Sequence, residues 1–310
     1  MSFLRRPLES VTWLMAGSAI LFGVLMLVDP RVIEGAPAWL KPLKFAVSTG
    51  IYGATLAWIL RFLPAWPRLA RVAGTTTAVV FIVEVVLIAY QAARGTTSHF
   101  NTSSVFDALV FSTMGIAILL QTLAAIAVAI ALWRQTFTDR AMGWALRLGL
   151  TLAVAGAFVG PLMTQPRAAQ IAQARETRQM PRAGSHSVGG PDGGPGLAGT
   201  GWSTEHGDLR APHFLGLHAM QALPLVALVF ARTRRRESLR VRAVLGAAVS
   251  YGALFVILLT QAMMGQSLVA PAGPIAGALT VWAVTTVAFA LVTWRAAYSW
   301  SADRTALEIA

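Results

Sequence analysis

Long apolar runs alternate with short polar segments from one end of the 310-residue chain to the other. They predict eight helical spans, at Val11–Val28, Phe45–Leu63, Val72–Ala93, Ala108–Trp133, Gly143–Met163, Phe214–Ala231, Ala243–Met264 and Pro274–Trp294. Each runs about 18–26 residues, enough to cross about 30 Å of hydrocarbon as a helix that satisfies its own backbone. The first run follows Arg5 and Arg6 and precedes an Ala36-Pro37-Ala38 triplet, as a signal peptide would. Its apolar core is too long and the triplet too distant for cleavage, so a retained anchor is expected.

Most connections are short, but Thr164 to His213 forms one long segment between spans five and six. Its first part, Arg167 to Met180, is rich in helix formers and would extend the fifth span beyond a kink at Pro161 and Pro166. Its second part, Gly184 to Gly207, holds nine glycines and two prolines. That composition excludes helix and leaves a disordered linker or a loop folded over something as the alternatives.

Composition agrees with lipid as the solvent: 56% of residues are hydrophobic and 12% charged, half the roughly 25% charged of a soluble domain. The formal net charge of +12 taken alone suggests a nucleic-acid partner. Its distribution points elsewhere. With the N-terminus in the cytoplasm, Arg5, Arg6, Arg61, Arg68, Arg71, Arg134, Arg140, Arg147, the six arginines from Arg232 to Arg242, Arg295 and Arg304 all fall inside. The excess is then an orientation signal, and the expected partner is the bilayer, with no nucleic acid. The predicted fold is an all-α integral membrane protein, one transmembrane domain over 1–310. It has eight spans, both termini inside and a Gly-rich extracytoplasmic loop or lid at 164–213. Absence of cysteine excludes disulfide frameworks, thiolate metal sites and cysteine nucleophiles.

The chemistry-bearing side chains gather on the outer side. All five histidines lie there, as do both lysines. In span two, Lys41, Lys44, Ser48, Tyr52 and Thr55 recur at intervals of three or four and form one polar stripe. In span three, Glu84 and Gln91 are seven apart on one face, with Glu84 about 10 Å deeper. A carboxyl at that depth must be paired or protonated, and Lys44 is the expected basic partner. Ser103 or Ser104 can cap span four, with Asp107 in its first turn and His99 at the mouth.

The densest stretch is Trp202 to Gln221, WSTEHGDLRAPHFLGLHAMQ, which brings Glu205, His206, Asp208, Arg210, His213, His218 and Gln221 to the head of span six. His213 and His218 are five apart and cannot chelate from one helix, so a metal or haem iron would need ligands from several elements. Zinc, copper and haem are the candidates, with His99, His213 and His218 as ligands and Gln221 lining a cofactor pocket. Glu84, Asp107 and Asp208 are the candidate catalytic proton carriers, and Lys44, Ser48, Gln91 and Arg210 the polar lining of a pathway. PDGGPG lacks the Gly-Lys-Ser/Thr of a phosphate loop. Gln261, Met263 and Met264 read as packing at a helix end.

The strings SHFN (98–101), VGGPDGGPGL (188–197), GWS (201–203), HGD (206–208) and HFLGLHAMQ (213–221) resemble a group of bacterial polytopic membrane proteins. The resemblance covers most of the chain and implies the architecture and a bacterial inner membrane, but no activity. A looser likeness to membrane zinc hydrolases of the ceramidase and adiponectin-receptor type rests on a His near Ser and Asp and a late His pair, here spaced His-x4-His. Rhodopsins are excluded, since the last spans carry no lysine for a Schiff base. Two functions follow as expectations. One is a metal- or haem-dependent protein with redox or hydrolytic chemistry; the other is a proton-coupled transporter of a small solute or ion.

Overall fold

The computed structural model describes residues 6–231 and 236–308. Eight of its helices are long and apolar enough to cross a membrane, and the chain is an all-α multi-pass membrane protein. Arg5, Arg232, Arg234 and Arg235 lie outside the described residues, as does the side chain of Arg304.

The spanning helices begin and end on recognisable signals. Pro7 and Pro67 open α1 (Pro7–Val28) and α3 (Pro67–Ala93), where a missing N–H costs nothing. The second span, α2, covers Leu40–Ile59 and closes in one 3-10 turn over Leu60–Phe62. The fourth, α4 (Val105–Arg134), is capped by Ser104, whose hydroxyl accepts from the Asp107 backbone N–H at 3.1 Å. At its other end Arg147 donates to the carbonyls of Leu132 and Gln135 and lies over the rings of Trp133, Phe137 and Trp144. That arginine closes a helix C-terminus where the backbone dipole favours a cation.

The fifth span breaks as its prolines require. α5 (Arg140–Ala157) turns into α6 (Val159–Thr164), and α7 (Ala168–Thr177) continues outward with no buried residue. Three further spans complete the molecule: α8 (Arg210–Ala231), α9 (Glu237–Met263) and α10 (Pro274–Glu308).

Packing divides these helices. α1, α2 and α3 pack together, α5, α8 and α9 form a second group with α10 against α9, and α4 joins α3 to α5. Small residues bring backbones close at both centres. Gly50 and Gly53 of α2 meet Met15 and Thr12 of α1, while Gly156 of α5 faces Gly216 of α8. Between α2, α3 and α4 a buried polar bridge replaces apolar packing. Thr77 donates to Gln121 at 2.6 Å, and Gln121 donates to the Tyr52 hydroxyl at 2.9 Å. Replacing Gln121 by leucine strands both hydroxyls away from water and is expected to cost about 1–3 kcal/mol. A chemical-denaturation midpoint in detergent equal to wild type would contradict that.

The Gly-rich segment is a folded roof at the outer end, not a linker. β3 (Ser187–Val188) pairs antiparallel with β4 (Gly207–Asp208), and Gly196 bridges to Ser203 inside the loop they enclose. Positive φ at Gly184, Gly189, Gly193, Gly199 and Gly201 shows why glycine recurs there. A second hairpin, β1 (Val32–Ile33) with β2 (Ala36–Pro37), turns through Glu34 and Gly35, both left-handed at φ 48° and 78°.

Candidate functional site

A cavity of about 360 Å³ opens at the outer end of the α1–α3 group. Its walls are the β1–β2 hairpin, the first two turns of α2, the outer turns of α3 at Ile88 and Ala92, and the turn at Thr96–Ser98. The roof is the glycine loop from Asp192 to Gly201, with His186 and Arg210 beside it. The size lies at the lower end for small-molecule sites.

The roof hangs on two carboxylates. Asp192 accepts from Arg182 at 2.6 Å, from the Ser185 hydroxyl at 2.8 Å, and from the backbone N–H groups of His186 and Ser187 at 3.0 and 2.8 Å. Burial pushes its carboxyl up, but the His186 ring at 3.2 Å and these N–H donors outweigh burial and hold it well below the usual carboxylate range. Arg182 also pairs with Glu34 on the hairpin and lies over Phe100. The second carboxylate, Asp208, accepts from Ser203 N–H at 2.8 Å and is clasped by Arg210 through Nε and Nη at 2.9 and 2.6 Å. Arg210 passes on to the Gly201 carbonyl at 2.6 Å.

The two lysines enter from α2. Lys44 donates to the Thr200 carbonyl at 3.0 Å, so a backbone oxygen of the roof holds it. Lys41 lines the same cavity, and the carboxylate that reaches its charge is Glu34 of the hairpin. His99 and His186 stand within reach of the Lys41 charge. Burial first, then the Lys41 charge, holds the His99 ring well below its ordinary value, so it is neutral at pH 7. Burial lowers His186 likewise.

The other predicted site residues are engaged elsewhere. Asp107 accepts from Gln91 at 2.8 Å, from Arg94 at 2.5 Å and from Ser104 at 2.6 Å, a closed network at the top of α3 and α4. His99 contacts Ser98 at 3.0 Å and sits among Phe45, Phe100 and Phe111. The Nδ1 of His213 is 2.7 Å from the Gly156 carbonyl, at the break between α5 and α6. The ring of His218 meets Phe214 edge-on with centroids 4.0 Å apart. Gln221 donates to Thr55 at 3.1 Å, a link from α8 to α2.

The expected joint ligation by His99, His213 and His218 is therefore not formed. Among the described residues no group of three or more His, Asp or Glu side chains is placed to hold a metal ion. The reason is local: His99 sits in the turn before α4 among aromatic rings, His213 reaches an α5 carbonyl, and His218 lies against Phe214 of its own helix. Ser48 also departs from expectation. It is exposed on α2 beside Val47 and Ile51, because α2 turns its buried face toward α1 and α3.

Glu84 is buried at 1% exposure, and neither of its oxygens has a hydrogen-bond partner among the described residues. The charge that reaches it is Lys41, not the expected Lys44. Arg182, Asp192 and Glu34 are site residues that the linear reading passed over. The Pro-Asp-Gly-Gly string around Asp192 was their one local sign, as a turn sequence, although the N–H groups that Asp192 accepts from lie five and six residues earlier, at Ser187 and His186.

The chain matches no protein-family model, no curated protein and no solved structure. Function must be argued from the cavity.

Proposed function

We propose that this protein is a carrier in a bacterial cytoplasmic membrane that takes a small anionic solute from the extracytoplasmic side. The observation that carries this reading is the Lys41 ammonium lining a roofed cavity that it shares with Lys44 and Arg210. Arg210 is already matched by Asp208, and Arg182 is shared by Glu34 and Asp192. Against the one surplus carboxylate of that trio, Lys41 and Lys44 leave the cavity biased by one positive charge toward negative ligands, and in a partly desolvated site such a charge is a strong recognition element. Roof N–H groups and the Thr96–Ser98 turn supply further polar contacts.

One feature favours passage over simple binding. Buried polar groups of α2, α3 and α4 continue below the cavity, from Glu84 to the Tyr52–Gln121–Thr77 bridge. By helix rise Thr77 lies about 10 Å deeper than Glu84. Buried polar groups at such depth mark solute or proton routes by default. The metal- or haem-dependent reading needs His99, His213 and His218 to share an ion, and their separate engagements leave the cationic cavity as the better-supported site.

The test is ligand-induced thermal stabilisation of the purified protein in detergent with acetate, succinate, sulfate, phosphate and an uncharged sugar. At least one anion is expected to raise the midpoint while the sugar does not. Lys41→Gln is expected to weaken that anion by about 10–100-fold, the worth of one charge-assisted hydrogen bond, and Lys41→Arg to restore part of it. Failure of every anion, or binding that survives Lys41→Gln intact, overturns the proposal. Counterflow of the same anion in proteoliposomes then separates a carrier from a receptor.

A further inference from the structure

Beneath the cavity lies a carboxyl that the anion reading leaves unused. Glu84 is one helical turn below Ile88, a residue of the cavity floor. It is as buried as the apolar core around it, yet both oxygens lack a partner among the described residues. A buried carboxylate without hydrogen bonds or a counter-charge is costly enough that the group must either hold a proton or borrow a positive neighbour.

Its charged surroundings can be named element by element. α2 presents Lys41, and deeper down the Tyr52 hydroxyl, which is engaged by Gln121. α4 presents Asp107 toward the outer surface, already closed by Arg94, and otherwise the uncharged Gln121. α1 offers Glu9 at the opposite end, paired with Arg6 and Arg61. On α3 itself Arg94 is spent on Asp107, while Arg68 and Arg71 lie in the first turns at the far end. Lys41, which also feels Glu34 of the hairpin, is thus the cation that Glu84 can borrow, and it is also the cation that an anion in the cavity would claim.

Resting on the anion reading of the cavity, we infer that Glu84 is its proton partner: an anion seated on Lys41 takes that ammonium's charge from Glu84, which then binds one proton. The charge count agrees. Lys41, Lys44, Arg182 and Arg210 face Glu34, Asp192 and Asp208 around the cavity, and Glu84 makes the fourth carboxylate. A monoanion entering this neutral set leaves one excess negative charge in a desolvated region, and a proton on Glu84 cancels it. Anion and proton would then be held together, the one in the outer cavity and the other beneath it on Glu84, so that a step carrying both moves solute and proton in the same direction.

The experiment is titration calorimetry in detergent with acetate or sulfate, whichever binds tighter, since both stay ionised over the range used. Repeating it in buffers of different ionisation enthalpy, from about pH 6 to about pH 9, counts the protons taken up on binding. Wild type is expected to take up a proton over part of that range, with affinity falling by up to about tenfold per pH unit there. Glu84→Gln keeps the shape of the side chain and is expected to bind with no proton uptake and a flat pH profile. Wild-type binding without uptake anywhere in the range, or uptake that persists in Glu84→Gln, overturns the inference while leaving the anion site standing. Absence of binding by wild type at any pH overturns the anion site itself.

Discussion

Gly156→Ala in α5 is expected to lower the stability of the detergent-solubilised protein by about 1–3 kcal/mol, and Gly156→Leu to leave no folded protein to purify. A Cβ at position 156 would stand 2.6 Å from both Cα and the carbonyl carbon of Gly216 on α8. Those are backbone atoms and cannot swing aside, so the helices themselves must part. They are held together at that point by His213, whose ring reaches the Gly156 carbonyl at 2.7 Å. Separating them would break that contact and open the α5–α8 interface, the most extensive helix pair in the molecule. In lipid, where close packing drives helix association in place of the hydrophobic effect, lost backbone proximity is not recovered elsewhere. Gly17→Ala in α1 and Gly277→Ala in α10 are the controls. Their Cβ atoms would meet nothing within 4 Å, so they should be neutral or stabilise by up to about 1 kcal/mol. Equal unfolding midpoints for Gly156→Ala and Gly17→Ala would refute the account of this crossing.

Asp192→Ala is expected to release the roof while leaving the eight spans in place. Its carboxylate is the common acceptor for Arg182, the Ser185 hydroxyl and two backbone N–H groups. Alanine strands all four and leaves Arg182 with Glu34 alone. Loss of one partner from such a buried, charge-assisted set costs about 3–5 kcal/mol, here spent locally on the loop. Proteolysis from the outer face should cut between residues 189 and 201 at least about 100-fold faster than in wild type. Cutting at the wild-type rate would show that the roof does not depend on this carboxylate. A pH dependence follows with a definite sign. The folded-state carboxyl lies below its unfolded value of 3.8, so its contribution is complete above about pH 4 and fades as pH falls further. Wild type should therefore keep the loop closed down to about pH 4 and expose it only in stronger acid, whereas Asp192→Ala should be equally exposed at pH 4 and pH 7.

How far the site could be read in advance depended on how local each interaction is. The cap at Ser104, the break near Pro161 and the helix at Ala168–Thr177 are made within a few residues, and the sequence announces all three. The interval of seven between Glu84 and Gln91 did place both on one face of α3. It could not say that Gln91 would close on Asp107 while Glu84 would stay unpartnered. Ser48 fitted the polar stripe by spacing, yet the side of α2 that becomes buried was set by Gly50 and Gly53 docking on α1. For the histidines, residue type suggested a shared metal, and only helix placement showed His213 at an α5 carbonyl, His218 against Phe214 and His99 among aromatic rings.

By itself the sequence determined the number of spans, the cores of their helices, the end of the molecule at which histidines and lysines gather and the presence of one long glycine-rich segment. Those follow from short-range physics: the length of apolar runs against a fixed bilayer thickness, and the placing of arginine relative to it. Tertiary structure decided that the glycine segment folds into a roof, that Arg182 joins the hairpin carboxylate to the loop, and that Lys41 is left facing a cavity above Glu84. These depend on contacts between residues as far apart as Glu34 and Arg182. In a membrane such contacts rest on the close approach of small residues and on single buried polar pairs, and neither leaves a periodic signature along the chain.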